Sequence, residues 1–491
     1  MRRLTWIAAP LVGAIGGLAA CDGLNYQLDC TEEPFVCEAP DGGGGGDAQA
    51  NPDVVAPPGC DMTKSPKESP ECVSNSVGVF VSPTGKDGAA GTKEEPLKSI
   101  AEAVTRGLPR VYVCEGNYDA PVTITRPIAI FGGLSCAWAP SDARPKLAPK
   151  KGVALAVTKV LGAVLLEDID ISGSADPDSP SDSAIAALVS GSDNVTLRRV
   201  NLTAGPGTAG SKGGTKSNFT GAAKNGANAT AASGGGETTC SCADGTTSSK
   251  GGRGGTVGAG ALDPTPGAAT PAVGGVNSGN NGGPNCIPGT VGAAGLATTG
   301  GTGSTAPGTL TADGWDASGA GGPGAAGSPG QGGGGGGGIA NSVQGGSGGA
   351  CGGCGGGGGE PGRNGGSSFA ILSFRSSIVL DGGRLVSGPG GKGGAGGTGQ
   401  DGQMGGATGL GACGGGAGGA GAGGAGGGGG AGGHSVPVVF VGTEPKVLGT
   451  TLTPGEKGLA GQGGARGEGP GNPGSTGDPG TDGKSQNTLA L

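Results

Sequence analysis

Aromatic side chains and histidine are scarce in this chain of 491 residues. Only 3% of the residues are aromatic and His434 is the sole histidine, whereas 124 residues are glycine. A chain of this composition cannot fill a conventional side-chain core along its whole length. A Ser-His-Asp or Cys-His nucleophile system would need His434, and no motif of an activated nucleophile surrounds it. The sequence therefore disfavours nucleophilic catalysis.

Positive charge is also in short supply, since the formal net charge is -8. An acidic, aromatic-poor surface argues against nucleic acid as a partner. Among so many glycines the pattern G-x-G-x-x-G arises by chance, and no copy follows a strand and opens a helix. Glycine-rich repeats of the calcium-binding type are absent as well. We therefore predict no cofactor and no resident metal.

The first apolar run reads as a targeting segment. Two arginines precede residues 4–18, which are apolar but too short to span a bilayer comfortably. The motif Leu18-Ala19-Ala20-Cys21 resembles the lipobox of bacterial lipoproteins. The resemblance implies that residues 1–20 are a signal peptide and that Cys21 is lipidated. The alternative is an ordinary secretory signal, with Cys21 in a disulfide.

If Cys21 carries lipid, twelve of the 13 cysteines remain. An even number in an exported protein favours disulfides. The candidates are Cys30, Cys37, Cys60, Cys72, Cys114, Cys136, Cys240, Cys242, Cys286, Cys351, Cys354 and Cys413. Cys30/Cys37 and Cys60/Cys72 are near neighbours that could close two small loops. The six cysteines from Cys240 onward could instead form a zinc site.

One short apolar pattern recurs along the chain. Apolar residues stand at 195, 197, 200 and 202, just before Gly205, and again at 164, 166, 169 and 171. The pattern returns at Ile378, Leu380 and Leu385, and Leu452 marks a weaker fourth copy. Period-2 alternation indicates strands, and recurrence of one unit indicates a solenoid whose coils stack. The first two copies are 31 residues apart.

The segments before this repeat carry a family resemblance. They read VFVSPTG (79–85), PLKSIAEAV (96–104), VYVCEGNY (111–118) and PVTITRPIAIFGG (121–133). This ordered set resembles the N-terminal part of the pectate-lyase-like superfamily, and in particular its exported bacterial members of unassigned function. The resemblance implies an all-β fold, a right-handed parallel β-helix with a short N-terminal capping helix, here predicted within 98–106. No catalytic motif of the superfamily matches this chain. Cys114 and Cys136 bracket the first strands and are expected to pair.

Composition divides the remaining chain into alternating parts. The predicted parts are a tether (21–76), N-terminal coils (77–204), a glycine-rich insertion (205–365), a coil (366–388), a second insertion (389–433), a last coil (434–454) and a glycine-rich tail (455–491). Both insertions and the tail leave from the same place in the repeat. If the repeat is a coil, all three emerge from one corner.

Glycine occupies every third position over long runs of these segments, for example from 415 to 433. A polyproline-II helix has three residues per turn, so this spacing leaves one face bare. We consider three states: an intrachain bundle of polyproline-II segments, a collagen-like trimer, and a disordered chain, since glycine carries the largest backbone entropy cost. The composition is similar to that of the mycobacterial PE/PGRS surface proteins.

Carboxylates and arginines alternate between aligned copies of the repeat. The alignment puts Glu167 beside Arg198, Asp168 beside Arg199, and Asp381 on the other side of Arg198. Stacked opposite charges would stabilise neighbouring strands by about 0.2–1 kcal/mol each. The alternative takes Glu167, Asp168 and Asp170 as a carboxylate cluster for calcium or for acid–base sugar chemistry.

We therefore expect a non-enzymatic lipoprotein of the bacterial cell envelope, exported and held at the outer membrane or cell surface by its lipid. Its role would be structural or adhesive, with the β-helix presenting glycine-rich segments to a polysaccharide or another surface protein. The alternative is a protein that binds or cleaves polysaccharides, which rests on analogy of fold alone.

Overall fold

The computed structural model describes residues 54–274, 277–282 and 285–491. The strands up to the first glycine-rich excursion are β1 (Gly78–Lys86), β2 (Arg110–Cys114), β3 (Gly116–Tyr118), β4 (Val122–Ile124), β5 (Ile128–Leu134), β6 (Pro145–Leu147), β7 (Leu155–Thr158), β8 (Leu161–Glu167), β9 (Asp170–Gly173), β10 (Ala184–Ser190) and β11 (Asp193–Ala204).

The later strands are β12 (Thr238–Ser241), β13 (Ser248–Gly251), β14 (Ala268–Thr270), β15 (Thr309–Thr311), β16 (Gly314–Asp316), β17 (Ser368–Phe374), β18 (Ile378–Ser387), β19 (Ser435–Val441), β20 (Lys446–Leu448), β21 (Thr451–Thr453) and β22 (Thr488–Ala490). The helical elements are α1 (Ile100–Ala103) and two 3-10 turns, Pro70–Cys72 and Ala340–Ser342.

The strands form a parallel β-helix, as predicted, with three strand positions in each full coil. The strands at one of these positions form a separate sheet, in the order β22-β19-β17-β10-β7-β4. The other two share one sheet, because β11 and β18 each run through both positions. Val195 of β11 pairs with Val164 of β8 and with Ile378 of β18. The predicted 31-residue step is thus the register of neighbouring coils.

A left-handed residue bends β11 in its middle and explains the uneven apolar spacing. Arg199 has φ 51°, and Asp168 at the equivalent place in the previous coil has φ 54°. Gly382 continues this row at φ 73°. The bend shifts the alternation by one residue, so Val195 and Leu197 before it and Val200 and Leu202 after it all face the core.

Aliphatic side chains fill the inside of the coils. Val164, Leu166, Val195, Leu197 and Leu380 are each at most 2% exposed and belong to one continuous cluster. Two smaller clusters lie outside the coils, on the outer faces of the two sheets. One contains Phe80, Tyr112 and Phe131, and the other contains Phe369 and Val436. The few aromatic residues therefore pack between the outer faces of the coils and the segments that cover them.

The first coils differ from the prediction in two respects. The helix is only four residues long, Ile100–Ala103, because Gly107 and Pro109 follow closely. Residues 60–76, assigned to the tether from composition, pack against the β-helix. The Arg110 guanidinium donates to the carbonyl oxygens of Met62 and Lys64 at 2.7 and 2.8 Å. A buried guanidinium such as that of Arg110 needs hydrogen-bond acceptors, and residues 62 and 64 supply them. Composition alone does not reveal a contact between segments so far apart in sequence.

Three excursions leave the β-helix at a single corner. They begin at Gly205, Gly388 and Gly455, which follow the ends of β11 and β18 directly and the end of β21 after one proline. Each returns to the sheet of β17, β19 and β22. The sequence does not predict β22, because a strand of three residues is too short to display alternation. The excursions together form the part of the molecule that we call the glycine bundle (205–367, 388–434 and 455–485).

Candidate functional site: the charged corner and the glycine bundle

The charged corner consists of Glu167, Asp168, Arg198 and Arg199, where β8 and β11 bend. Arg199 donates to both oxygens of Asp168 at 3.0 Å and also bonds to Glu167. Arg198 lies between Glu167 at 3.3 Å and Asp381 at 3.7 Å. The order acid, base, acid across three coils is the one that alignment of the repeat predicted, because equivalent residues of neighbouring coils pair directly.

Burial and charge act in opposite directions on the two inner carboxylates. Burial raises the pKa of Glu167, against the lowering effect of Arg199 and Arg198. Burial also opposes ionisation of Asp168, but hydrogen bonds and charge from Arg199, with Lys67 and Arg144, hold its pKa below the usual value. The Arg199 pKa is raised, first by its bonds to Asp168. This corner is an ion-pair network in which the two carboxylates are buried and the two arginine side chains are partly exposed, so the buried acids depend on the arginines for their charge partners.

This geometry disfavours the carboxylate-cluster alternative for Glu167, Asp168 and Asp170. Asp170 accepts a 2.8 Å hydrogen bond from Asn201 and lies 3.6 Å from Arg144. Every acid of the trio therefore has a basic or amide partner from a neighbouring coil or loop. In the described part of the chain, no group of three or more acidic, histidine or cysteine side chains could hold a metal ion.

The glycine bundle is built around one central helix, residues 414–433, which contains only glycine and alanine. Its backbone hydrogen-bonds to six other extended segments: 391–406, 458–467, 472–481, 292–304, 322–334 and 350–365. Successive bonds lie three residues apart, as in Gly421 to Gln403, Gly424 to Gln400 and Gly427 to Gly397. This is the repeat of polyproline-II helices, which have no internal backbone bonds and here bond to their neighbours.

Close approach of backbones explains the glycine content. A Cβ at Gly424 would overlap the carbonyl oxygen of Gly357, and one at Gly396 would overlap that of Gly427. In the outer segment 456–468, Gly458 and Gly461 are buried against the bundle, while Leu459 and Gln462 beside them are exposed. Residues 421–433 of the central helix are all buried, so every face of this part is restricted to glycine or alanine.

The coils and the bundle share one stacking order. The outgoing segments run parallel to each other, with Gly207 bonded to Pro389 and Gly390 bonded to Glu456. The returning segments do the same, with Gly353 bonded to Gly419 and Gly423 to Asn472. The outgoing and returning segments of the glycine bundle therefore continue the stacking of the coils.

Serine hydroxyls join the outgoing and returning chains where they leave the coils. Ser368 Oγ donates to Gly205 O at 2.7 Å and accepts from Gly388 N at 2.8 Å. Ser435 Oγ makes the same two bonds with Gly388 and Gly455, at 2.7 and 2.8 Å. These buried serines have no role predicted from the sequence, although each opens a returning strand. That recurrence was the available signal.

Three disulfides lie in the glycine bundle: Cys240–Cys351, Cys242–Cys354 and Cys286–Cys413. They occupy the six cysteines that were considered as a zinc site, so these thiols are not free to bind metal. Two more, Cys60–Cys72 and Cys114–Cys136, lie beside the first coils. Cys21, Cys30 and Cys37 lie outside the described residues.

A seam holds the bundle against the β-helix. The β15–β16 hairpin places Leu310 and Trp315 on the outer face of the β17 sheet, where Trp315 contacts Phe369 edge-on at 4.8 Å. His434 lies beside the indole at 5.8 Å. It is buried rather than solvated, its Nδ1 accepts from Lys484 N at 2.8 Å, and burial, with Lys484, lowers its pKa to about 4. It therefore has a packing role.

No helix in the described ranges is both long enough and apolar enough to cross a membrane. No family model matches the chain, and neither any curated protein nor any solved structure does so.

Proposed function

We propose that the protein is an exported lipoprotein of the bacterial envelope, anchored through Cys21, with a structural or adhesive role. Its β-helix would act as a scaffold that presents the glycine bundle at the outer membrane or cell surface. The observation that carries this proposal is the docking of the bundle on the coils by shared stacking, serine bonds and the seam hairpin. A bundle held in place in this way would present a fixed surface for contact with other surfaces.

Two further observations support the proposal. Five disulfides among the described residues suit an oxidising compartment. The carboxylates that a polysaccharide-cleaving site would use are engaged with arginine, which supports binding in preference to cleavage. The pectate-lyase-like relationship remains part of the proposal, supported by the three-strand coil alone.

The experiment is metabolic labelling with a palmitate analogue in bacteria that express the full chain, followed by fractionation and protease treatment of intact cells. The wild type is expected to carry label, to fractionate with membranes and to be cleaved by protease added to intact cells. Cys21→Ser should lose the label and leave the membrane fraction, whereas Cys30→Ser should keep both. An unlabelled wild type, or equal behaviour of the two variants, would refute the lipid anchor.

A further inference from the structure

A cleft lies at the seam between the β-helix and the glycine bundle. It is formed by the loop that joins β9 to β10, the first outgoing segment near Ser211, the β15–β16 hairpin and the returning segment at Arg363. Its volume is about 430 Å³, within the range of about 300–1,000 Å³ that small-molecule sites occupy. The cleft exists only because the bundle is docked on the coils.

Trp315 forms one wall of this cleft. Its ring is held edge-on against Phe369 and His434, so its orientation is set by packing before any ligand arrives. The residue is only partly buried, and a portion of the indole faces the opening. An indole in a fixed orientation offers a flat apolar surface at little entropic cost to binding.

Opposite charges and hydroxyl groups line the rest of the cleft. Asp182 is half-buried, and its Oδ2 accepts from Asp176 N at 2.6 Å. Among the described residues no hydrogen bond occupies Oδ1. Arg363 donates one N–H to Ser318 O at 3.3 Å, and its other side-chain N–H groups have no hydrogen-bond partner among the described residues. The hydroxyl of Ser211 likewise has no partner in the described ranges, whereas the Ser318 hydroxyl bonds to the Asp316 carboxylate. The cleft thus offers a spare acceptor on Asp182, spare donors on Arg363, and one hydroxyl, on Ser211, that can both donate and accept.

The balance of charge selects the ligand class. An anion would be attracted by Arg363 and repelled by Asp182, and a cation the reverse, so a net charge on the ligand gives it no advantage in this cleft. A neutral polyol can use both, since each hydroxyl donates and accepts, and its apolar C–H face can lie on the indole. We propose that this cleft binds a neutral saccharide. The proposal deepens the adhesive part of the proposed function by naming its ligand.

The test is isothermal titration of the disulfide-intact protein with neutral trisaccharides of glucose, mannose and N-acetylglucosamine, and with anionic trigalacturonate. At least one neutral trisaccharide is expected to bind saturably, and trigalacturonate is expected to bind more weakly. Asp182→Asn keeps an acceptor for Asp176 N but removes the charge, and Arg363→Gln removes the fork of donors. Each should weaken binding by about tenfold or more. Asp313→Asn, in the turn of the same hairpin, should not change it.

Absence of saturable binding by every neutral trisaccharide would overturn the proposal. So would binding of trigalacturonate alone, or binding that is unchanged in both Asp182→Asn and Arg363→Gln. These outcomes are independent of the palmitate experiment, because an unanchored protein can bind a saccharide and an anchored one can fail to.

Discussion

The β-helix and the glycine bundle are packed in opposite ways, one through large side chains and the other through the backbone. Inside the coils, large aliphatic side chains such as Leu166 and Leu197 exclude water, and the strand backbones bond to the next coil. In the bundle there is almost no side chain to bury, and the backbones themselves come into contact. The first part is therefore sensitive to loss of volume, and the second to gain of volume.

The two parts also differ in how they are ordered. Apolar burial orders the coils, whereas polyglycine carries the largest entropy cost of ordering and gains little from the hydrophobic effect. The bundle offsets this cost in three ways: it continues the register of the coils, it is bonded through Ser368 and Ser435, and it is cross-linked by three disulfides. We infer that the β-helix is the template on which the bundle forms.

The largest effect is expected from a truncation inside the coils. Leu166→Ala should lower the free energy of unfolding by about 2–5 kcal/mol because it leaves a cavity. Leu161 lies in the same strand but is 83% exposed, so Leu161→Ala should change the free energy by less than about 0.5 kcal/mol. Chemical denaturation followed by circular dichroism measures both. Equal losses would contradict the assigned inside and outside of β8.

The next effect concerns the seam between the two parts. The native state holds His434 neutral with a pKa of about 4, below the ordinary value of 6.5. Above pH 6.5 neither state is protonated. As the pH falls from 6.5 to 4 the unfolded chain gains the proton first, so stability should fall by about 3 kcal/mol at most.

His434→Asn, which retains an acceptor for Lys484 N, isolates this contribution. The difference in unfolding free energy between wild type and variant should change across pH 6.5 to 4 and stay constant above it. The measurement is denaturation at a series of pH values. A difference that is the same at every pH would show that His434 is not buried as described.

A smaller loss is expected when volume is added to the bundle. Gly424→Ala should cost about 1–3 kcal/mol, because the new Cβ meets the carbonyl oxygen of Gly357. Gly414 lies in the same central helix and has open space where its Cβ would be. Gly414→Ala should therefore be neutral or stabilising by less than about 1 kcal/mol. Thermal unfolding of the two variants measures this contrast, and equal melting temperatures would argue against close packing of backbones.

The smallest effect belongs to the exposed end of the charged corner. The Asp381 side chain is 49% exposed and lies 3.7 Å from Arg198. Asp381→Ala should cost about 0.2–1 kcal/mol in low salt, and the difference should vanish near 1 M salt because exposed pairs are screened. Denaturation at two salt concentrations checks this. A larger cost that resists salt would place Asp381 inside the network with Glu167.

The parts of the fold that sequence predicted are those governed by local pattern. Alternation at 164–171 and 195–202 predicted the coils, and aligning them predicted which carboxylate lies beside Arg198 and Arg199. The bend at Arg199 was visible only as uneven spacing, since a left-handed conformation at arginine has no sequence signature.

The rest depends on contacts between distant segments. Glycine at every third position predicted polyproline-II helices. It did not predict how these helices pair, because the pairing depends on the simultaneous packing of seven segments. For the same reason the cleft was not foreseen: Asp182, Trp315 and Arg363 are far apart in sequence and meet only when the bundle is docked.

Amide hydrogen exchange tests the central claim most directly, that the glycine segments form an ordered bundle templated by the coils. In the disulfide-intact protein, peptides from the central helix (414–433) should exchange as slowly as those from β17. The reason is that Gly421, Gly424 and Gly427 are buried and donate their amides to backbone carbonyl oxygens of the neighbouring segment 397–403. Complete exchange of 414–433 within seconds, with β17 still protected, would show a folded β-helix carrying disordered glycine segments and would contradict the account.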